Sequence, residues 1–207
     1  MTAMLNIREP FDREAQYAAK KQSVILSAAS AFRRRGYHNT SMVEIAQTLG
    51  LTKAALYYYV KNKEEILYES HLVTYDAMDA ILKSSRYGHE SSLDNLEAVF
   101  RQFVGLLTQS GVSLLTDVDS LNGEWRSEVI RRRKKIERRV IRLVREGQAD
   151  GSIRSGDARL HVFFFMGALN WLNAWFETDG RLKGEDIAAE FARQLRSGIE
   201  SAKGETK

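Results

Sequence analysis

The 207-residue chain contains one proline, Pro10, and none after it. Proline removes a backbone donor and clashes with the preceding turn, so everything beyond residue 10 is free to be helix. The apolar residues use that freedom. Ile25, Ala28, Ala29 and Phe32 fall at i, i+3, i+4 and i+7, the stripe of an amphipathic helix over about 16–35. Arg33, Arg34 and Arg35 complement the negative end of its dipole, and Gly36 offers a stop. Ser41 and Glu44 have capping-box spacing for a short helix through Leu49, with Thr40 as the alternative cap. Gly50 permits a turn, a second short helix follows at 53–59, and Asn62 can cap the next. Helices this short are not stable alone, so they are expected to pack on the first as a three-helix head. Longer helices are expected at 63–84, 92–109, 112–121, 123–149, 157–177 and 184–203, punctuated by Gly88, Ser110-Gly111, Asn122-Gly123, Asp150-Gly151 and Asp179-Gly180. The expected fold is all-α, with about nine helices. It divides into a flexible arm (1–15), a helix-turn-helix head (16–62) and a helical body (63–207).

Composition narrows the function. There is no cysteine, which excludes disulfides and thiolate metal sites and fits a reducing cytoplasm. No segment approaches the ~20 consecutive apolar residues of a membrane helix, and the first residues lack the apolar stretch of a secretory signal. His38, His71, His89 and His161 are scattered without metal-ligand spacing. Neither a phosphate-cradling glycine loop nor a nucleophile elbow is present. Catalysis, a metal and a cofactor are therefore not expected. Charge is distributed unevenly: residues 1–63 carry ten Lys or Arg against four Asp or Glu, and the rest is slightly acidic. A basic front on a near-neutral body suits a polyanion-binding head.

The segment TSMVEIAQTLGLTKAALYYYVKNKEEIL supplies the parts of a helix-turn-helix. Ile45, Ala46, Leu49, Leu51 and Leu56 are apolar where the two helices must pack, and Thr52, Lys53, Ala54, Tyr57 and Tyr58 remain to face outward. In such a unit the second helix lays side chains against base edges in the major groove. Small Ala54 and Ala55 would allow close approach and methyl contact with thymine.

Gly36, Tyr37, Thr40, Ser41, Ile45, Ala46, Gly50, Leu51, Thr52, Lys53, Leu56, Tyr57, Lys63, Glu64 and Leu67 stand in an order and spacing that resembles the tetracycline-repressor (TetR) family signature. Ala54 and Val60 replace that pattern's usual glycine and phenylalanine. The resemblance implies a DNA-binding regulator, usually a repressor, that acts as a homodimer on a palindromic operator. It implies base contacts from Lys53, Ala54, Ala55 and Tyr57, and phosphate contacts from Ser41, Thr52, Tyr58, Tyr59 and Lys63. Tyr57 and Tyr59 could instead be packing residues. Arg8 and Arg13 in the arm could enter a minor groove, against the simpler reading of a disordered arm.

The body offers HVFFFMGALNWLNAWF, apolar on nearly every face, as expected of a helix buried in its own chain or between two. Gly167, Trp171 and Trp175 form one stripe, and the last helix repeats apolar positions at Ile187, Phe191, Leu195 and Ile199. The family's four-helix dimer bundle implies an interface including Gly167, Trp171, Trp175, Phe191 and Leu195; an internal core is the alternative. The helix at 123–149 sets Val129, Ile136, Val140 and Val144 against a dense basic surface, either a solvated face or a binding surface for an anionic effector. The patterns at Leu121–Trp125–Arg126, Gly151–Arg154 and Gly167–Trp175 resemble the family's acyl-coenzyme A-responsive branch. The expected effector contacts are Phe103, Leu107, Trp125, Arg126, Phe165, Leu169 and Asn173, although core packing explains several equally well. A hydrophobic ligand without coenzyme A is the rival effector, and a non-specific architectural DNA binder is the rival from another class.

Overall fold

The computed structural model describes residues 13–85, 90–114 and 117–201. Arg8 and the rest of the arm through residue 12 lie outside the described residues, as do Gly88, His89 and residues 202–203 of the expected last helix. Eight α-helices follow in order: α1 Arg13–Arg35, α2 Met42–Thr48, α3 Lys53–Tyr59, α4 Lys63–Ser84, α5 Ser92–Gln109, α6 Gly123–Ala149, α7 Ala158–Trp175 and α8 Gly184–Ile199. Among the described residues the only extended pairing is an isolated antiparallel bridge between Ile153 and Glu200.

Local chemistry sets the ends. α1 stops where Gly36 takes φ +84°, a left-handed conformation that a side chain would strain. Ser41 caps α2 with the full reciprocal box: its hydroxyl accepts from the Glu44 N–H at 3.2 Å, and the Glu44 carboxylate accepts from the Ser41 N–H at 2.7 Å. Those bonds from Ser41 hold the Glu44 carboxyl below its ordinary pKa. Thr40, the alternative cap, is buried and donates its hydroxyl to the Gly36 carbonyl at 2.9 Å. Thr52 and Asn62 cap α3 and α4 through their side chains.

Among the described residues of the expected helix over 112–121, the one helical turn is a 3-10 turn, Val118–Ser120. Tertiary partners occupy the backbone instead: the Ser113 carbonyl accepts from the Thr74 hydroxyl at 2.9 Å, and the Leu114 N–H donates to Asn173 Oδ1 at 3.2 Å. Val112 and Leu114 are buried in this extended path, so their apolar spacing reports burial and not helical periodicity. α1 also begins at Arg13, inside the expected arm.

α5 is the central element, packed against α4, α6, α7 and α8. Leu93, Leu96, Val99, Phe100, Phe103, Val104 and Leu107 are all buried along it. One hydrophobic cluster runs without a break from Val24 and Phe32 in α1, through Ile66 and Leu67 in α4, to Leu195 and Ile199 in α8. Head and body therefore share a core across α4. At the far end Arg196 donates to Glu97 at 2.6 Å and also pairs with Asp94, joining α8 to α5. No helix among the described residues is long and apolar enough to cross a membrane.

Candidate nucleic-acid interface and its connection to the body

α3 sorts its side chains by angle. At ~100° per residue, Lys53, Ala54, Tyr57 and Tyr58 fall within one outward arc and Leu56 lies opposite. Leu56 is fully buried against Ile45 and Ala46 of α2, and Tyr57 and Tyr58 are 44% and 69% exposed. Large exposed aromatics on a short helix expose apolar surface to water unless a partner covers it. Lys53 Nζ stands 5.9 Å from the Tyr57 ring centroid, which groups a cation and an aromatic at the front of the helix. Ser41 and Thr52 are exposed at the two N-caps, and each keeps a hydroxyl hydrogen free to donate while its oxygen accepts from its own helix. Gly50, at φ +64°, makes the turn that brings the two helices to this angle.

Other expected contacts are placed differently. Ala55 is half-buried, and its N–H donates to the Thr52 cap at 3.1 Å. Tyr59 is half-buried and stacks on Tyr17 at 5.4 Å between ring centroids. Lys63 is turned inward: its ammonium donates to the Tyr37 carbonyl at 2.8 Å and lies 4.1 Å from the Tyr37 ring centroid. Burial lowers the pKa of this lysine. It brackets the α1–α2 connection to α4, and a phosphate contact would require it to leave that bracket. Sequence reasoning missed Tyr17, whose ring meets Tyr58 edge-on and whose hydroxyl donates to the Tyr58 carbonyl at 3.3 Å. Its signal was Lys21 four residues on, on the same face, which pairs with Glu65 and Glu69 of α4.

Several specific contacts join head to body. Glu64 Oε1 accepts from the Asn122 N–H at 2.8 Å and from its side-chain amide at 3.1 Å. His38 Nε2 and Ser120 Oγ are 3.1 Å apart. Arg33 donates to the Phe176 carbonyl at 3.1 Å, reaching from α1 to the end of α7. Tyr68 and Trp125 stack at 5.1 Å with an interplanar angle of 12°.

Of the expected effector contacts, Phe103, Leu107, Phe165 and Leu169 are buried within the shared core. Trp125 lies at the α4–α6 junction beside a concavity of about 730 Å³ that Tyr68, Glu128 and Arg131 also line. Arg126 pairs with Asp119 at 2.8 Å, and Asn173 is spent on the Leu114 N–H. Of the expected dimer residues, Gly167 and Trp171 are exposed and Trp175 is half-buried. Leu195 is 2% exposed and belongs to the chain's own core, and Phe191 is half-buried against that core. Their spacing marks the face of α8 that meets α5. The free apolar face lies on α7 instead, where Leu160, Phe163, Phe164 and Trp171 are 66%, 46%, 74% and 69% exposed.

Residues 24–69 match the family model described as bacterial regulatory proteins, tetR family, and residues 89–199 match the tetracyclin repressor-like C-terminal domain. The HTH-type transcriptional repressor KstR2 of Mycolicibacterium smegmatis is 25% identical over 94% of this chain and 97% of its own length. Among solved structures, AibR in complex with isovaleryl coenzyme A and operator DNA superposes with a TM-score of 0.72 at 30% identity, covering 85% of this chain and 97% of that one. KstR2 of Mycobacterium tuberculosis superposes with a TM-score of 0.78 over 88% of this chain and 96% of its own; at 19% identity this likeness concerns the fold alone.

Proposed function

The chain belongs to the tetR family of bacterial regulatory proteins, and on that premise we propose that it is a cytoplasmic homodimeric repressor released from a palindromic operator by an acyl-coenzyme A thioester. Family membership places it among regulators and not enzymes. The observation that carries the DNA-binding reading is the outward arc of α3, where Tyr57 and Tyr58 are exposed over a buried Leu56. Lys53, Ala54 and Tyr57 are positioned to meet base edges, and Ser41, Thr52 and Tyr58 to meet phosphates, which fix register without reading sequence. The head at 16–62 does the reading, and the body at 63–207 sets the distance between two heads. That distance must suit successive major-groove faces, about 34 Å or a multiple of it.

The α7 face of Leu160, Phe163, Phe164, Gly167 and Trp171 is the surface we assign to the dimer, because a solvent-facing aromatic stripe of this size calls for a partner. The likeness to AibR, whose structure contains isovaleryl coenzyme A and operator DNA, supports the effector class. Because Phe103, Leu107, Phe165 and Leu169 are packed together, an acyl group entering there must part α5 from α7. Such a ligand selects the opened body, and the operator selects the head spacing of the closed one. α4, the first helix of the body, packs against α1 of the head as well as α5 and α6, so it is the element that would carry the change.

Fluorescence anisotropy on DNA from upstream of the gene, against a scrambled duplex, tests the reading at fixed salt. Selective binding reversed by a short branched acyl-coenzyme A is the expected result. Selective binding that only a hydrophobic ligand without coenzyme A reverses would replace the effector, and equal affinity for both duplexes would favour an architectural DNA binder.

A further inference from the structure

The cations of α6 fall into two groups that the rest of the chain treats differently. On the side facing α4, Arg131 and Arg132 pair with Glu128, Arg132 also pairs with Asp76, and Lys135 and Arg139 reach Asp79 at 3.1 and 2.6 Å. On the side facing α7, Lys134, Arg138, Arg142 and Arg145 form no ion pair among the described residues. At ~100° per residue these four fall within about 80° of one another, in a row of three turns, roughly 16 Å long. Like charges four residues apart on a helix repel; Arg138 also borders a concavity with Asp76 and Asp79 of α4, but those carboxylates are already paired with Arg132, Lys83, Lys135 and Arg139. Arg159 of α7 closes the other wall of a groove of about 520 Å³, with half-buried Ile141 on its lining. The one carboxylate lining it, Glu137, is already paired with Arg159 at 3.6 Å.

Five cations around one apolar residue, spread along an elongated groove, fit a ligand with several separated phosphate charges and a flat or apolar portion between them. Arginine binds such groups through paired, charge-assisted hydrogen bonds. We propose that the α6–α7 groove binds the phosphorylated nucleotide portion of the effector, outside the apolar core. This deepens the effector reading and rests on it for the ligand's identity, but the groove's affinity for nucleotide phosphates can be measured without it.

The probe is adenosine 3′,5′-bisphosphate, titrated calorimetrically into the full chain at fixed moderate salt, with adenosine and inorganic phosphate as comparisons. The wild type is expected to bind the bisphosphate, to bind inorganic phosphate far more weakly and adenosine not at all. Arg138→Gln/Arg142→Gln is expected to weaken bisphosphate binding at least about tenfold, the loss of two charge-assisted contacts, with melting temperature and operator affinity unchanged. Arg131→Gln, on the paired side, should leave it intact. Equal binding by wild type and the double variant, or equal affinity for inorganic phosphate and the bisphosphate, overturns the site. A fall in operator affinity in the double variant also overturns it, because the cations then serve DNA. Bisphosphate binding without thioester-driven operator release keeps this groove and removes the effector reading. Thioester-driven release unaltered in the double variant does the reverse.

Discussion

One carboxylate oxygen of Glu64 accepts both the backbone N–H of Asn122, at 2.8 Å, and its side-chain amide, at 3.1 Å. Asn122 stands at the N-cap of α6 yet makes no side-chain cap there, because that amide is turned to Glu64. The first turn of α4, at the edge of the head, is thereby held to the first turn of the longest helix of the body. Beside this contact lie the Tyr68–Trp125 stack and the His38–Ser120 contact.

Glu64→Gln should weaken this tie. Operator affinity without effector should change less than about threefold, whereas the factor by which effector lowers it should shrink by a coupling energy of about 1 kcal/mol. Anisotropy titrations with and without thioester give both numbers. An unchanged ratio would move the coupling to Arg33 and the Phe176 carbonyl.

Tyr57→Ala and Leu56→Ala separate contact from support. Tyr57 is exposed, so its truncation should cost operator affinity by about tenfold, roughly 1.4 kcal/mol, with little loss of melting temperature. Leu56 is fully buried, so its truncation should destabilise the fold by ~2–5 kcal/mol and lower DNA binding through unfolding. Thermal melts beside anisotropy distinguish them.

Phe164→Asp and Trp171→Glu place charge on the free face of α7. Each should convert a dimer to monomer in light scattering at micromolar concentration and abolish operator binding, since a single head loses the second half-site. Leu195→Ala, directed into the chain's own core, should instead lower stability by ~2–5 kcal/mol.

His71 is 1% exposed, its Nε2 has no hydrogen-bond partner, and its ring stacks on Tyr75 at 6.0 Å. Burial, with a contribution from Arg133, lowers its pKa to about 4. The unfolded chain therefore binds the extra proton first as pH falls. Stability from this residue is full above the unfolded pKa of ~6.5 and is lost progressively down to the folded value, by up to ~3 kcal/mol. Urea melts of wild type and His71→Phe at pH 7.5, 5.5 and 4.5 should converge or cross as pH falls. A constant difference would mean that the histidine takes up its proton as readily in the fold as in the unfolded chain.

Gly184→Ala sets helix propensity against space. Alanine favours a helix, but a Cβ here would lie 2.7 Å from the Thr108 Cβ and closer still to its hydroxyl. Thr108 is buried and tied to the Val104 carbonyl at 2.9 Å, so it has little room to yield. The crowding should win, with a loss of ~1–3 kcal/mol, read as a lower urea midpoint. Thr108→Ala in the same chain removes the hydroxyl, the nearest crowded atom, and should recover part of it.

The head was legible because its determinants are local. Capping at Ser41 and Asn62, the turns at Gly36 and Gly50 and the apolar spacing of Ile45, Ala46 and Leu56 each act over a few residues, and each is realised in the fold. The body's long helices were legible by the same means, and α4, α5 and α6 have the expected boundaries.

Where the reading failed, the deciding partner was distant in the chain. The segment at 112–121 has helix-like apolar spacing, but Thr74 and Asn173 take its backbone groups from 39 and 59 residues away. Leu195 and Trp171 are both large apolar residues at helical spacing, and only the packing of α8 on α5 decides that the first is core and the second is surface. The inward turn of Lys63 and the division of the α6 cations into paired and unpaired sides depend likewise on which helix lies opposite. Local sequence thus determined where the chain is helical and how each helix begins and ends, because backbone hydrogen bonding and capping are short-range. Tertiary structure decided which face of each helix is buried, paired or free, because that depends on contacts whose sequence separation no local pattern encodes.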